Sequence, residues 1–176
     1  TKLKELGYEK ISAILKKSGI DDNAITKFCE KLGVKKAIST IDDFWNKIPL
    51  FYQDQVRETF IEGTVVLKYA EEDLILYRHI SNEGPEISFW FSRKIYNPND
   101  ARKLLALPNS NTAENIVKCR IPKGTPFIEG KVASQTNDVT NTFGDYAVGG
   151  GNQLYFLKED LDKIKILEIF KNQKIE

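Results

Sequence analysis

The chain has 176 residues, of which 41% are hydrophobic and 29% are charged, a composition typical of a globular protein rather than a disordered one. Its 26 basic and 25 acidic residues leave a formal net charge of +1, which argues against a DNA-binding protein that neutralises a phosphate backbone. Two widely separated cysteines and a single histidine exclude a multi-histidine metal site and disfavour a cysteine zinc site, so we expect two free thiols and no bound metal.

The first third of the chain shows the spacing and the stop signals of helices. From Leu3 to Leu15, apolar residues recur at roughly helical spacing. Residues 21–23, Asp-Asp-Asn, supply an N-cap for a second helix, which Gly33 ends. Ser39-Thr40 precedes a third helix, and Pro49 stops it. The predicted helices therefore span about residues 3–18, 23–32, 41–48 and 52–62.

Beyond Gly63 the sequence changes to short segments rich in β-branched and aromatic residues, which predict strands. A short helix over 101–107, capped by Asn97 to Asp100, interrupts them. We therefore predict an α+β fold, with a helical N-terminal portion at residues 1–62 and a sheet-containing domain at residues 63–176. The predicted strands are 64–69, 73–80, 87–92, 116–121, 127–133, 153–157 and 164–170.

Arg78 lies inside an apolar strand, where period-two alternation places it on the same face as Leu74 and Leu76. A buried arginine needs an anionic or polar partner. That partner is either a ligand phosphate or carboxylate, held bidentately, or a local glutamate such as Glu83 or Glu86. The sequence leaves these two interpretations open.

Two further segments are candidate ligand contacts. Ser88, Trp90 and Ser92 share one face of the next strand, where the indole can stack on a flat ligand beside two hydroxyls, or simply cover the sheet. Three glycines at 149–151 precede Gln153, a neutral side chain that both donates and accepts hydrogen bonds. The alternative for this second segment is a glycine-rich surface hairpin.

His79 and Glu129 are the remaining candidates for acid–base chemistry. His79 could act as the base of a ribonuclease, although a solitary histidine is more often structural. Glu129 lies within a predicted strand just before Gly130, and we consider it, with Glu83 and Glu86, as a catalytic carboxylate.

The order of several motifs resembles the C-terminal toxin domains of polymorphic bacterial toxins in the ADP-ribosyltransferase superfamily. The motifs are Tyr77-Arg78, the segment 89–92 (Phe-Trp-Phe-Ser), the segment 97–108, the segment 121–130, and the ending Gly149 to Gln153. The glycine run followed by glutamine is similar to the ending of NAD glycohydrolase toxins of the tuberculosis necrotizing toxin type. The resemblance covers about residues 64–157.

This resemblance implies an ADP-ribosyltransferase-like split β-sheet that binds NAD in a cleft, and it assigns roles to particular residues. Arg78 matches the residue that orients NAD, and Ser88, Trp90 or Ser92 matches the nicotinamide contact. Gln153 takes the late-strand catalytic position, and Gly150 and Gly151 let the backbone approach the dinucleotide. Transferases usually carry a glutamate where this chain has Gln153, which favours hydrolysis of NAD over transfer to protein.

The expected function is therefore an NAD(P) glycohydrolase toxin of the contact-dependent inhibition type, with NAD or NADP as substrate and no cofactor. The alternatives are an ADP-ribosyltransferase toxin acting on protein or nucleic acid, a metal-independent ribonuclease toxin, and a non-enzymatic interaction module. The resemblance further implies a cognate immunity protein as partner. It also implies a secreted or cell-surface precursor whose toxin acts in the target-cell cytoplasm and touches a membrane only during entry. The absence of methionine, even at position 1, leads us to expect a fragment of such a precursor.

Overall fold

A computed structural model describes residues 2–173 of the chain, which separate into two compact units. The first unit ends at Ser39 and the second begins at Thr40. Within the described residues, no helix is both long and apolar enough to span a bilayer.

The first unit consists of the helices α1 (Lys2–Glu5), α2 (Gly7–Lys17) and α3 (Asp22–Leu32). The Asp21 side chain caps α3 by accepting a hydrogen bond from the Ala24 amide at 2.9 Å. Gly33 ends the same helix with a φ of 73°, a left-handed conformation that favours glycine. The predicted cap and stop are therefore confirmed. The buried core of this unit is formed by Ile11, Ile25, Cys29 and Val34.

Over residues 40–173, which the structure describes, the second unit contains three α-helices and seven strands. The helices are α4 (Ile41–Asn46), α5 (Leu50–Glu58) and α6 (Pro98–Leu104). The strands are β1 (Val66–Tyr69), β2 (Leu74–Ile80), β3 (Trp90–Phe91), β4 (Asn115–Ile121), β5 (Pro126–Lys131), β6 (Asn152–Phe156) and β7 (Lys165–Phe170), with a 3-10 helix at Lys158–Lys163 between the last two.

Helices α4 and α5 belong with the sheets and not with the first three helices. The Thr40 side chain accepts from the Asp43 amide, and the Asp43 carboxylate accepts from the Thr40 amide, which completes a capping box at the start of α4. After α5, the Ile61 amide donates to the carbonyl of Lys131 at 2.8 Å. The compact units thus divide at residues 39 and 40, earlier than the predicted division at residue 62, because the periodicity of a helix does not reveal which core it packs against.

The strands form two antiparallel sheets that meet at one point. The four-stranded sheet has the order β1-β5-β6-β3, and the three-stranded sheet has the order β2-β4-β7. Tyr77 of β2 and Ser92, just after β3, exchange both backbone hydrogen bonds, at 2.9 and 2.8 Å. The structure confirms the predicted α+β class with helices first and sheets after. The predicted strand 87–92 is reduced to Trp90–Phe91.

Strand alternation decides which side chains enter the main core and which face away from it. In β6, Leu154 and Phe156 are fully buried in the core, so Gln153 and Tyr155 point to the opposite face of the sheet. Trp90 is paired with Tyr155 across the strands and shares that face. The core is built from Leu76, Ile80, Phe91, Val117, Cys119, Ile121, Phe127, Leu154, Phe156 and Ile164.

Candidate functional site

A cleft of about 710 Å³ opens on the face of the four-stranded sheet that carries Gln153 and Tyr155. Its walls are the junction of α4 and α5, the face of α5, the middle of β2, the segment 89–92, and the turn that follows α6. This volume falls in the range of small-molecule sites. All of its lining residues belong to the second unit, between Lys47 and Lys158.

The lining of the cleft is aromatic, amide-bearing and cationic. Its cations are Lys47, Arg78 and Lys158. Its amides are Gln55, Asn111, Gln135 and Gln153, and its aromatic residues, besides His79, are Tyr52, Tyr77, Phe89, Trp90, Phe91, Phe143 and Tyr155. No aspartate or glutamate lines it within the described part of the chain. The cleft therefore suits a flat, negatively charged ligand better than a cationic one.

Tyr155 is the centre of an aromatic cluster in the cleft wall. Its ring stacks on Phe89 at a centroid distance of 5.5 Å and meets the edge of Trp90 at 4.7 Å. Trp90 also contacts Phe60 at 5.6 Å. Burial raises the pKa of the Tyr155 hydroxyl to about 12, so this side chain stays neutral at ordinary pH. These contacts hold the rings in place before any ligand binds.

Gln153 is 7% exposed and lies in the cleft wall two residues before Tyr155. Its Nε2 donates a hydrogen bond of 2.9 Å to the carbonyl of Thr59, directly after α5. That contact fixes the orientation of the amide, because the carbonyl of Thr59 can only accept. The Oε1 atom of Gln153 is thereby left to accept hydrogen bonds from a ligand.

The side chain of Arg78 is occupied by the main chain of the segment before β3. Its Nε donates to the carbonyl of Glu86 at 3.1 Å, Nη1 to that of Trp90 at 2.7 Å, and Nη2 to that of Pro85 at 3.2 Å. The side chain is 8% exposed, and burial lowers the pKa of its guanidinium to about 10. The predicted glutamate carboxylate takes no part in these contacts, since Glu86 contributes only its main-chain carbonyl. Arg78 lines the cleft and shapes it by holding this segment in place.

The three predicted contacts of the β3 segment take different positions. Trp90 lines the cleft. Ser92 also lines it but is 1% exposed, and its hydroxyl donates to the carbonyl of Lys94 at 2.8 Å. Ser88 is half-buried and is not among the lining residues. The structure thus brings Arg78, Trp90, Ser92 and Gln153 to one cleft and leaves Ser88 outside it.

The glycine run packs against the C-terminal end of α6. The amides of Gly149 and Gly151 donate to the carbonyls of Lys103 and Leu104, each at 3.0 Å. A Cβ atom on Gly151 would lie 2.9 Å from the Leu104 oxygen, so a larger residue cannot make this approach. Gly150 and Gly151 are not among the lining residues of the cleft. The contacts of Gly149 and Gly151 with α6 position the turn after this helix, which forms one of the walls of the cleft.

His79 is buried and held in its neutral form. Its Nε2 accepts a hydrogen bond of 2.9 Å from the Tyr96 amide, and burial lowers the pKa of the imidazole to about 4. Because Nε2 is the acceptor, the proton resides on Nδ1, which has no hydrogen-bond partner among the described residues. The nitrogen that could act as a base is therefore already occupied by the main chain.

Glu129 points to the other face of the sheet, toward the core, and is held by three side chains. Its carboxylate accepts from Arg93 at 2.5 and 3.0 Å, from Lys68 at 2.7 Å and from Asn152 at 2.6 Å. Burial by itself would raise the pKa of this carboxyl group, but the hydrogen bonds from Arg93, Lys68 and Asn152 outweigh it and lower the pKa to about 2. Glu129 is therefore a structural carboxylate outside the cleft.

The sequence analysis did not single out several of the polar side chains that line the cleft. Lys47, Gln55, Asn111, Gln135 and Lys158 come from loops and helix ends distributed along the chain. No local pattern marks them, because only the folded chain brings them together. Among residues 2–173, no three His, Cys, Asp or Glu side chains are grouped closely enough to hold a metal ion.

Comparison with known proteins gives a likeness of fold. No protein-family model matches the chain, and no curated protein matches its sequence. A solved structure of Tse6 in complex with Tsi6 contains a chain that is 15% identical, with a TM-score of 0.51 over 72% of this chain and 90% of the matched chain. The two share a fold.

Two further solved complexes are similar to the chain. One is Tne2 in complex with Tni2, at 14% identity and a TM-score of 0.49, over 65% of this chain and 98% of the matched chain. The other is Rhs1-CT in complex with its cognate immunity protein RhsI1, at 22% identity and a TM-score of 0.43, over 62% of this chain and 83% of the matched chain.

Proposed function

We propose that this chain is a toxin domain that hydrolyses NAD or NADP at the bond between nicotinamide and ribose. The observation that carries the proposal is the lining of the cleft, in which aromatic rings, amides and cations occur together and no carboxylate is found among the residues that the structure describes. A dinucleotide needs this combination, since it presents two flat bases, several hydroxyls and a negatively charged pyrophosphate. The resemblance of the motif order to NAD glycohydrolase toxins supports the same substrate.

The absence of a carboxylate from the described lining fits this particular bond. Hydrolysis of an ordinary glycoside requires a general acid to protonate the leaving oxygen and a second carboxylate on the opposite face. In NAD, the bond between C1′ of the ribose and N1 of nicotinamide breaks with its electron pair moving to the positively charged ring. Nicotinamide therefore leaves as a neutral molecule without a proton donor. Water then forms the new bond to C1′ and releases a proton, which gives ADP-ribose.

In this reaction Gln153 would act on the ribose. Its Oε1 would accept from the ribose hydroxyls, and the negative end of the amide dipole would favour the cationic, oxocarbenium-like transition state. The contact between Nε2 and the carbonyl of Thr59 fixes the direction of that dipole before the substrate arrives. Trp90, held by its edge contact with Tyr155, would pack against the nicotinamide ring and exclude water from its face.

The neutral Gln153 also favours hydrolysis over transfer of ADP-ribose to a macromolecule. A transferase usually carries a glutamate at the corresponding position, and here the described lining provides no carboxylate to replace it. An oxocarbenium-like carbon reacts with a nucleophile as weak as water, so hydrolysis does not require a carboxylate to activate the acceptor.

The ribonuclease alternative is disfavoured by the environment of His79. A ribonuclease base must accept a proton near neutral pH. The His79 imidazole has its acceptor nitrogen occupied and its pKa lowered to about 4. The activity test below distinguishes an enzyme from the non-enzymatic alternative, an interaction module.

We also propose a cognate immunity protein as the partner of this domain. The chain shares the fold of a protein solved as the complex of Tse6 with Tsi6, and such a pairing fits a toxin whose producer must be protected. The precursor would be secreted or displayed on the cell surface, and the toxin would act in the target-cell cytoplasm, where NAD is available.

The test is to incubate the protein with NAD and to follow the release of nicotinamide. Loss of NAD without labelling of protein or nucleic acid supports hydrolysis, whereas labelled macromolecule indicates transfer. Intact NAD together with RNA cleavage that disappears in His79→Ala would overturn the proposal in favour of a ribonuclease. Intact NAD and intact RNA would leave the interaction module.

A further inference from the structure

The proposed substrate carries a pyrophosphate, and the cleft has only a few cations that could bind it. The described lining contains three, Arg78, Lys47 and Lys158. Each nitrogen of the Arg78 guanidinium already donates to a main-chain carbonyl, and the side chain is 8% exposed. Moving Arg78 onto a phosphate would break all three of these hydrogen bonds and release the segment 85–90, which is costly. The pyrophosphate therefore needs a different cation.

Lys47 and Lys158 are available to bind a phosphate. Both side chains are exposed, and neither ammonium group forms an ion pair or a hydrogen bond with any other residue in the described range 2–173. A lysine of this kind can reorient onto an incoming phosphate without breaking an existing contact. Because no carboxylate lines the cleft in the described chain, no nearby lining group competes for these ammonium groups.

Both lysines lie toward the end of the cleft marked by Tyr155. Lys158 follows Tyr155 by three residues along the chain. Lys47 is one helical turn beyond Phe44, whose ring contacts Tyr155 at 6.4 Å. Gln153 lies in the other direction along β6, about 7 Å before Tyr155 at ~3.3 Å of rise per residue. Tyr155 thus lies between Gln153 and the two lysines.

We infer that Lys47 and Lys158 bind the pyrophosphate and set the direction of the dinucleotide along β6. The scissile bond would lie beside Gln153 and the nicotinamide against Trp90. The ribose, which joins nicotinamide to the pyrophosphate, would extend past Tyr155 to the two phosphates at the lysines. The assignment rests on the proposed function. It makes the enzyme selective for a substrate with a pyrophosphate over nicotinamide riboside, which has the same scissile bond and no phosphate.

The kinetic test compares NAD with nicotinamide riboside in the full chain carrying Lys47→Gln and Lys158→Gln together. The ratio of kcat/KM for NAD to that for the riboside should fall about tenfold, mainly through a higher KM for NAD, since a hydrogen bond to a charged group is lost. The control is Lys123→Gln, which removes an equal charge from an exposed turn outside the cleft and should leave the ratio unchanged. An unchanged ratio in the double variant would overturn the inference.

A binding measurement separates failure of this inference from failure of the proposed function. ADP-ribose carries the pyrophosphate and adenosine does not. The double variant should bind ADP-ribose about tenfold more weakly than the wild type, with little change for adenosine, and the ADP-ribose affinity of the wild type should fall with added salt. If the wild type binds ADP-ribose through the lysines but releases no nicotinamide from NAD, the proposed reaction is wrong and the pyrophosphate site stands. If ADP-ribose binds equally well to both proteins, the pyrophosphate site is wrong whatever the activity.

Discussion

Replacing Gln153 by alanine separates the catalytic contribution of this side chain from its structural one. The structural cost is small, because the carbonyl of Thr59 also accepts from the Ala133 amide at 2.9 Å and stays paired when the glutamine is removed. The lost hydrogen bond contributes about 1 kcal/mol to the free energy of unfolding. Loss of a preorganised polar group at the reacting centre typically lowers kcat by about 100- to 1,000-fold.

Gln135→Ala is the matched control. Gln135 lines the same cleft, carries the same amide, and donates through Nε2 to the carbonyl of Glu58, the residue just before Thr59, at 3.2 Å. Its removal should cost a similar free energy of unfolding and lower kcat by less than about fivefold, since no transition-state contact is lost. Nicotinamide release measures the activity, and thermal unfolding measures the stability.

Two results would refute the reasoning about Gln153. If Gln153→Ala keeps full activity in a folded protein, the catalytic strand has been placed incorrectly. If Gln153→Ala and Gln135→Ala lower kcat equally, the amides act on the shape of the cleft and not on the transition state.

Three further predictions concern stability and its dependence on pH. Glu129→Gln should lower the free energy of unfolding by only about 1–2 kcal/mol at pH 7, because the cationic partners of Glu129 are nearly half exposed and therefore screened by solvent. The pKa of Glu129 in the folded protein lies below the ordinary value of 4.5, so this difference should be present above pH 4.5 and vanish as the pH falls to about 2. Denaturant unfolding at several pH values measures it. Burial lowers the pKa of His79 from 6.5 to about 4, so its neutral form stabilises the protein above pH 6.5, and acid titration of the wild type should show a loss of stability between pH 6.5 and 4 that is absent in His79→Gln. Gly149→Ala should lower the melting temperature far more than Gly150→Ala. A Cβ atom at position 149 would lie 2.6 Å from a carbonyl oxygen, whereas a Cβ atom at position 150 contacts nothing and adds only the backbone strain of a φ of 96°. Similar melting temperatures for the two variants would contradict this packing of the glycine run.

The sequence predicts the environment of a residue only where that environment is set by its neighbours along the chain. Alternation along 153–156 predicts that Gln153 and Tyr155 share a face, because side chains in a strand alternate whatever their neighbours are. The same rule places Arg78 on the face of Leu76, but it does not identify the hydrogen-bond partners of the guanidinium. Its actual partners are main-chain carbonyls, which every residue has and which therefore leave no mark in the sequence.

The role of Glu129 illustrates the same limit for charged groups. In the sequence, Glu129 is an isolated glutamate within a strand, which is compatible with a catalytic acid. No residue adjacent to it predicts Lys68 or Arg93 as its partners. Those residues come from other strands or their ends, and the sheet register brings them to the same carboxylate. The electrostatic environment that lowers its pKa is thus a product of long-range pairing.

The sequence by itself determined the α+β class and the cap and stop of α3. These are local properties, set by periodicity, capping and backbone freedom. The tertiary structure decided that α4 and α5 belong with the sheets, that the glycine run docks on α6, and that Lys47 and Lys158 line one cleft with no carboxylate among its described lining residues. Such contacts join residues up to a hundred positions apart, and they arise only when burial of the shared core brings those segments together.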